Sequence, residues 1–238
     1  CCEGAEVAAY VSVDARPTLG AIDDEAPPAA GRPRRASRQN RAASRTDAPF
    51  VAILVKLQPD EPLGLRMELF DPQRICICSV SSSGETPVEA YNVRARRGRA
   101  IHLGDLVVSV NGERSSSEEM LKAIRETQTV RMEVLHPLSL PRSICKRGAP
   151  LGLALKYDEA TGTFLYVAGV HGGAVERDGV DIRVGDRIHR VNGTQGRPNT
   201  LLRALGQADT LELEIWRPPD AVSKSPPGSA CEGEPSSS

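Results

Sequence analysis

Aromatic side chains make up only 3% of the 238 residues, and there is a single tryptophan, Trp216. A large core built on rings is therefore excluded, and small cores of Val, Leu and Ile are expected instead. No apolar run approaches the roughly 18 residues that a membrane-spanning helix requires. An excess of charge is missing too. The formal net charge is −1, so the chain as a whole is no electrostatic match for nucleic acid, and no specific nucleic-acid partner is expected. The six cysteines lack the spacing of a disulfide framework. Cys76 and Cys78 stand two apart on an expected strand and so share one face, but no histidine lies nearby at a zinc-like spacing. Reduced thiols packed as small hydrophobes in a cytosolic protein fit this usage, with no metal and no cofactor.

The marks of a catalyst are also absent. There is no G-x-S-x-G nucleophile elbow, no phosphate-binding loop, no H-E-x-x-H and no recognisable carboxylate pair. The run His171-Gly172-Gly173-Ala174 reads better as a turn before a short helix than as an oxyanion loop. No enzymatic activity is expected within these residues.

What is present is a repeat. "GDLVVSVNG" (Gly104 to Gly112) returns as "GDRIHRVNG" (Gly185 to Gly193), and "EPLGLRMEL" from Glu61 has a counterpart in "APLGLALKY" from Ala149. The register then holds: Leu121 matches Leu202, Ala123 matches Ala204, Ile124 matches Leu205, Thr129 matches Thr210 and Glu133 matches Glu214. A register kept over that length means a duplicated domain.

In the first copy, strands are expected at Phe50 to Leu57, Leu65 to Phe70, Arg74 to Val80 and in "GDLVVSV", the last closed by an Asn-Gly turn. Ser116 and Glu119 have the capping-box spacing, so a helix should begin at Ser117, with Met120, Leu121 and Ile124 as its apolar stripe. Thr129 to Leu135 alternates as a closing strand. The second copy repeats the order, with a helix from Pro198 carrying Leu201, Leu202 and Leu205 and ending near Gly206. Shorter helices are expected at Val88 to Ala95 and near Ala174 to Arg177.

Outside the repeat, residues 1–48 are rich in Ala, Pro, Arg and Ser without sustained periodicity, and residues 219–238 are rich in Pro and Ser. Both read as disordered tails, lacking the apolar surface to offset the entropy of ordering. The expected domains are therefore 49–137 and 138–218. The connector "HPLSLPRSI" is short and proline-stiffened, which predicts a restricted orientation of the two units. A chain that begins at Cys1 instead of Met is expected of a fragment.

A Φ-Gly-Φ step at the head of a strand, the "GDxIxxVNG" strand and the helix after it, found twice, resemble the PDZ domain family. The resemblance implies two small, mostly β, antiparallel sandwich or partial-barrel domains in tandem, each with one principal helix. It also implies a non-catalytic adaptor that binds the C-terminal tails of partner proteins. Glycine between two aliphatics lets successive N–H groups converge on an anion. The amides of Leu63, Gly64 and Leu65, and of Leu151, Gly152 and Leu153, would hold the terminal carboxylate. The tail itself would add as a strand. Leu63, Leu65, Leu121 and Ile124, with Leu151, Leu153, Leu202 and Leu205, would line pockets that prefer an aliphatic last residue.

The resemblance further implies that the first helical residue reads the third-from-last ligand residue. The commonest PDZ class carries histidine there. Here it is Ser117, able to make one hydrogen bond, and Pro198, which favours an apolar ligand residue. A basic residue upstream of the loop often accompanies the carboxylate in this family, and Lys56 and Arg147 are its candidates.

Two other readings stand beside the adaptor. The chain could be the regulatory part of a larger enzyme such as a protease. Alternatively, the arginines of residues 31–45 could tether it to acidic lipid or nucleic acid. "RRAS" (Arg34 to Ser37) matches a basophilic kinase target, which makes Ser37 a phosphorylation candidate. The expected location is cytoplasmic, at or near the membrane periphery.

Overall fold

The computed structural model describes residues 48–84 and 86–219, together with the backbone of residues 8–12. Strand β1 (Ala8–Ser12) stands apart in sequence from the rest. The first unit holds β2 (Phe50–Val55), β3 (Leu65–Asp71), β4 (Arg74–Val80), α1 (Pro87–Arg94), β5 (Leu106–Val110), α2 (Ser117–Glu126) and β6 (Thr129–Leu135). The second holds β7 (Leu138–Cys145), β8 (Leu153–Asp158), β9 (Leu165–Val170), α3 (Gly173–Arg177), β10 (Arg187–Val191), α4 (Pro198–Gln207) and β11 (Thr210–Arg217). No helix among the described residues is long and apolar enough to cross a membrane.

The expected elements are present with their ends within about two residues. The first sheet has the order β2-β6-β5-β4-β3, and the second has β7-β11-β10-β9-β8, so the duplication holds in space as well as in sequence. The second sheet carries one strand more. β1 pairs antiparallel with β8, on the edge away from β9, so five residues of the stretch read as tail form a strand. The remaining tail residues, including Ser37 and residues 31–45, lie outside the described residues.

Local chemistry repeats between the copies. Asn111 and Asn192 take left-handed φ values of 51° and 48° ahead of Gly112 and Gly193, as an Asn-Gly turn demands. Each asparagine then donates its backbone N–H to a carbonyl of the last strand of its unit and accepts that residue's N–H on its side-chain Oδ1, Asn111 with Arg131 and Asn192 with Glu212. The aspartate of each Gly-Asp pair is buried and closes its own turn, Asp105 accepting from the His102 N–H and Asp186 from the Arg183 N–H. Each also holds a cation-capable side chain where the last strand ends. Asp105 lies 2.7 Å from Nδ1 of His136, and Asp186 takes two hydrogen bonds of 2.8 Å from Arg217.

Each unit has its own aliphatic core. Ile75, Ile77, Val107, Met120, Ile124 and Met132 are among the buried residues of the first. Leu153, Leu155, Val167, Ile188, Leu201 and Leu205 are among those of the second. A third cluster joins Cys76, Cys78, Leu106 and Leu135 of the first unit to Phe164 and Trp216 of the second. The scarce aromatics concentrate here. Phe70 packs on Tyr166 at 5.8 Å, Phe164 meets Trp216 edge-on at 6.3 Å, and Trp216 lies so close to Gly104 that a Cβ there would sit 2.6 Å from its ring. Four of the eight aromatic residues thus face the other unit or pack in this seam. The linker is two residues, His136 and Pro137, between β6 and β7. Orientation is set by this buried surface as well as by the short connector.

Candidate functional site

Both Leu-Gly-Leu turns stand at the head of a strand, the first at β3 on the edge of its sheet and the second at β8, which lies between β9 and β1. Gly64 has φ +80° and Gly152 has φ +81°, in the left-handed region that glycine alone enters freely. Space reinforces this. A Cβ on Gly64 would lie 2.5 Å from the Thr86 Cβ, and one on Gly152 would lie 1.8 Å from the carbonyl oxygen of Gly172.

The carbonyls of these turns face the protein. Leu63 O accepts from the Val88 N–H at 3.1 Å and Gly64 O from the Ser81 N–H at 2.8 Å. In the second unit Leu151 O accepts from Val175 at 3.2 Å and Gly152 O from His171 at 2.9 Å. The N–H groups of Leu63, Gly64, Leu151 and Gly152 donate no hydrogen bond among the described residues. A turn whose carbonyls are engaged and whose amides are not is suited chemically to an anion.

The two edges differ. β3 pairs with β4 alone among the described strands, whereas β8 has β9 on one side and β1 on the other. The long stretch after Val80 forms α1 and folds back, with Asn92 exchanging two hydrogen bonds with Ile101.

The helices start where the sequence places them. Ser116 accepts from the Glu119 N–H at 3.1 Å, and Ser117, buried, donates its N–H to Pro72 O at 2.8 Å. Pro198 is buried at the start of α4, and a Cβ on Gly162 would lie 3.0 Å from its Cγ. Of the expected pocket residues, Leu65, Leu121 and Leu202 keep accessible surface beside the cores. Leu63, Ile124, Leu151, Leu153 and Leu205 are buried within them.

The basic candidates divide. Lys56 is 1% exposed, and its ammonium donates to Ile124 O near the end of α2 at 2.7 Å and to Pro59 O in the loop after β2. Its counterpart in the second unit is Lys146, which donates to Leu205 O at 2.9 Å and Gly206 O at 3.3 Å. Arg147 sits next to it, exposed, at φ +51°. Both lysines cap helix C-termini, where cations are favoured by the helix dipole. The matching spacing from Lys56 to Gly64 and from Lys146 to Gly152 differs by two residues, which hid this equivalence in the sequence.

Among the described residues, no group of three His, Cys, Asp or Glu is placed to hold a metal ion. The buried thiols are inert. Burial pushes Cys76 up to about 12 and lifts Cys78 still further, and the nearby Glu68 adds to both.

A five-stranded antiparallel sheet in this order, with a Leu-Gly-Leu turn leading into its outer strand and a three-turn helix later in the unit, is the arrangement that the PDZ resemblance implies, and here it occurs twice in tandem. No family model matches the chain. Over 89 residues, 35% of this chain, it is 35% identical to MAGUK p55 subfamily member 7 of Danio rerio, and it spans 15% of that protein's length. Among solved structures it is similar to the INAD PDZ45 pair in its complex with NORPA CC-PBM, at 18% identity, covering 72% of this chain and 92% of that one, with a TM-score of 0.34. The MUPP1 PDZ4 domain is 23% identical, covering 35% of this chain and 71% of that one, with a TM-score of 0.29.

Proposed function

We propose that the chain is a non-catalytic adaptor that gathers partner proteins by their C-terminal tails. The first unit takes a tail as an added strand on the edge of β3, with its carboxylate on the amides of Leu63, Gly64 and Leu65. Its last side chain lies between that turn and Leu121 of α2. The observation that carries this reading is the pair of glycine turns, in which the carbonyls of Leu63, Gly64, Leu151 and Gly152 are engaged within the protein while the N–H groups of the same four residues donate no hydrogen bond among the described residues. Main-chain ladder bonds would supply affinity, and the aliphatic lining would favour Val, Leu or Ile at the tail's end. The second unit offers the same frame through Leu151, Gly152 and Leu153, with Leu202 and Pro198 beside it.

The test is a randomised C-terminal peptide library on the full chain, with each hit remade as its C-terminal amide. Hits that end in aliphatics and lose most of their binding on amidation support carboxylate capture. They should also weaken with Leu121→Asp in a chain that remains folded. Amides that bind as well as acids would refute it.

A further inference from the structure

The second site already holds an occupant. β1 lies on the free edge of β8 in five successive antiparallel pairs, from Ala8 opposite Asp158 to Ser12 opposite Ala154. It therefore runs toward the Gly152 turn and ends its pairing one residue from Leu153. An incoming tail with its carboxylate at that turn would occupy the same edge in the same direction. The first unit has no such strand among the described residues, since β3 pairs with β4 alone. The two sites share a frame and differ in what covers them.

We propose that residues 8–12 are a built-in, internal ligand of the second unit, bound in cis, so that the first site is open and the second is masked. This rests on the reading of β8 as a tail-binding edge. A segment inside the chain differs from a true tail in one chemical respect. The chain continues through Val13 and Asp14, so β1 brings ladder hydrogen bonds to the edge and no terminal carboxylate to the Gly152 amides. A competing tail can supply both, which makes the mask displaceable. The tether supplies what the segment's own affinity lacks. At an effective concentration of about 1 mM, a strand that binds at about 0.1 mM weakens any competitor roughly tenfold.

The probe is a labelled peptide of residues 6–14, tested as its C-terminal amide against the full chain and against a Tyr10→Pro, Val11→Pro double variant. In an antiparallel pair neighbouring residues alternate in bonding the partner, so one of the two prolines removes a ladder donor whatever the phase. Both positions precede the two units, and unchanged Trp216 fluorescence reports that the units stay folded. A chain lacking residues 1–14 serves as the second variant.

The expected result is that both variants bind the peptide about tenfold more tightly than the full chain. Amide hydrogen exchange across Ala154–Asp158 should rise in both. Equal binding by all three chains, with unchanged exchange, would overturn the proposal. Protection of β8 that disappears on dilution would also overturn it, because the strand would then come from a second copy. Since the probe is an amide, these outcomes are independent of whether the turns capture a carboxylate, which the acid-against-amide comparison decides separately.

Discussion

Arg187 of the second unit and Glu68 of the first meet across the seam at 3.5 Å, 1% and 7% exposed respectively. The guanidinium also lies over Tyr166, 5.1 Å from the ring centroid, and 5.8 Å from that of Phe164. Glu68 Oε2 and Arg187 Nε have no aligned hydrogen bond among the described residues, so the attraction is mainly charge against charge. Burial raises the carboxyl above its ordinary range, with Arg187 opposing that rise.

Arg187→Leu should therefore cost about 3–5 kcal/mol in urea unfolding, because it strands a buried carboxylate. Leucine is the natural comparison, since Leu106 holds the same place in the first copy. Adding Glu68→Leu should recover most of the loss. A double variant no better than the single one would mean that the packing of Arg187 over the rings matters more than its charge.

His189 stacks on Trp216 at 4.0 Å, and burial holds its imidazole down to about 4, against the pull of Glu214. The unfolded chain takes this proton more readily, so stability should fall as pH drops through the ordinary histidine range near 6.5, with the loss complete near 4. His189→Val, copying Val108 of the first unit, should flatten that part of a melting-temperature profile. Parallel profiles for the two chains would count against it.

Gly152→Ala forces a Cβ onto the Gly172 carbonyl, and should cost about 4 kcal/mol or more. Gly193→Ala meets nothing within 4 Å at φ +77°, leaving only the left-handed strain of about 1–2 kcal/mol. Denaturation midpoints of the two variants decide this directly.

Lys56→Met and Lys146→Met should each destabilise by about 1.5–3 kcal/mol, the worth of a charge-assisted hydrogen bond to a helix end. Neither should change the salt dependence of peptide binding. A clear loss of that dependence would return the lysines to the carboxylate site.

Iodoacetamide should label Cys145, which is partly exposed, and spare the buried Cys76 and Cys78 in the native chain. Labelling of Cys76 or Cys78 in Arg187→Leu without global unfolding would report opening of the seam.

The sequence by itself determined the two units, their elements and the glycine turns. Those features follow from short-range rules: alternation on strands, a capping serine at Ser116, Asn-Gly turns, and a left-handed glycine at the head of β3 and β8. The constant offset between the copies made each reading confirm the other. The buried aspartates were visible only as parts of a motif, because their partners His136 and Arg217 lie far along the chain.

Only the tertiary structure decided which side chains turn outward from one unit into the other. Cys76, Glu68 and Arg187 each occupy positions that fit an ordinary strand, and nothing within either copy says that their face is covered by its neighbour. The same holds for Lys146, whose role depends on where α4 ends. Residues 8–12 show no periodicity of their own, because the groups that fix their pairing belong to β8, more than a hundred positions away. Backbone hydrogen bonding can recruit such a segment with little demand on its side chains, so its sequence need not announce it.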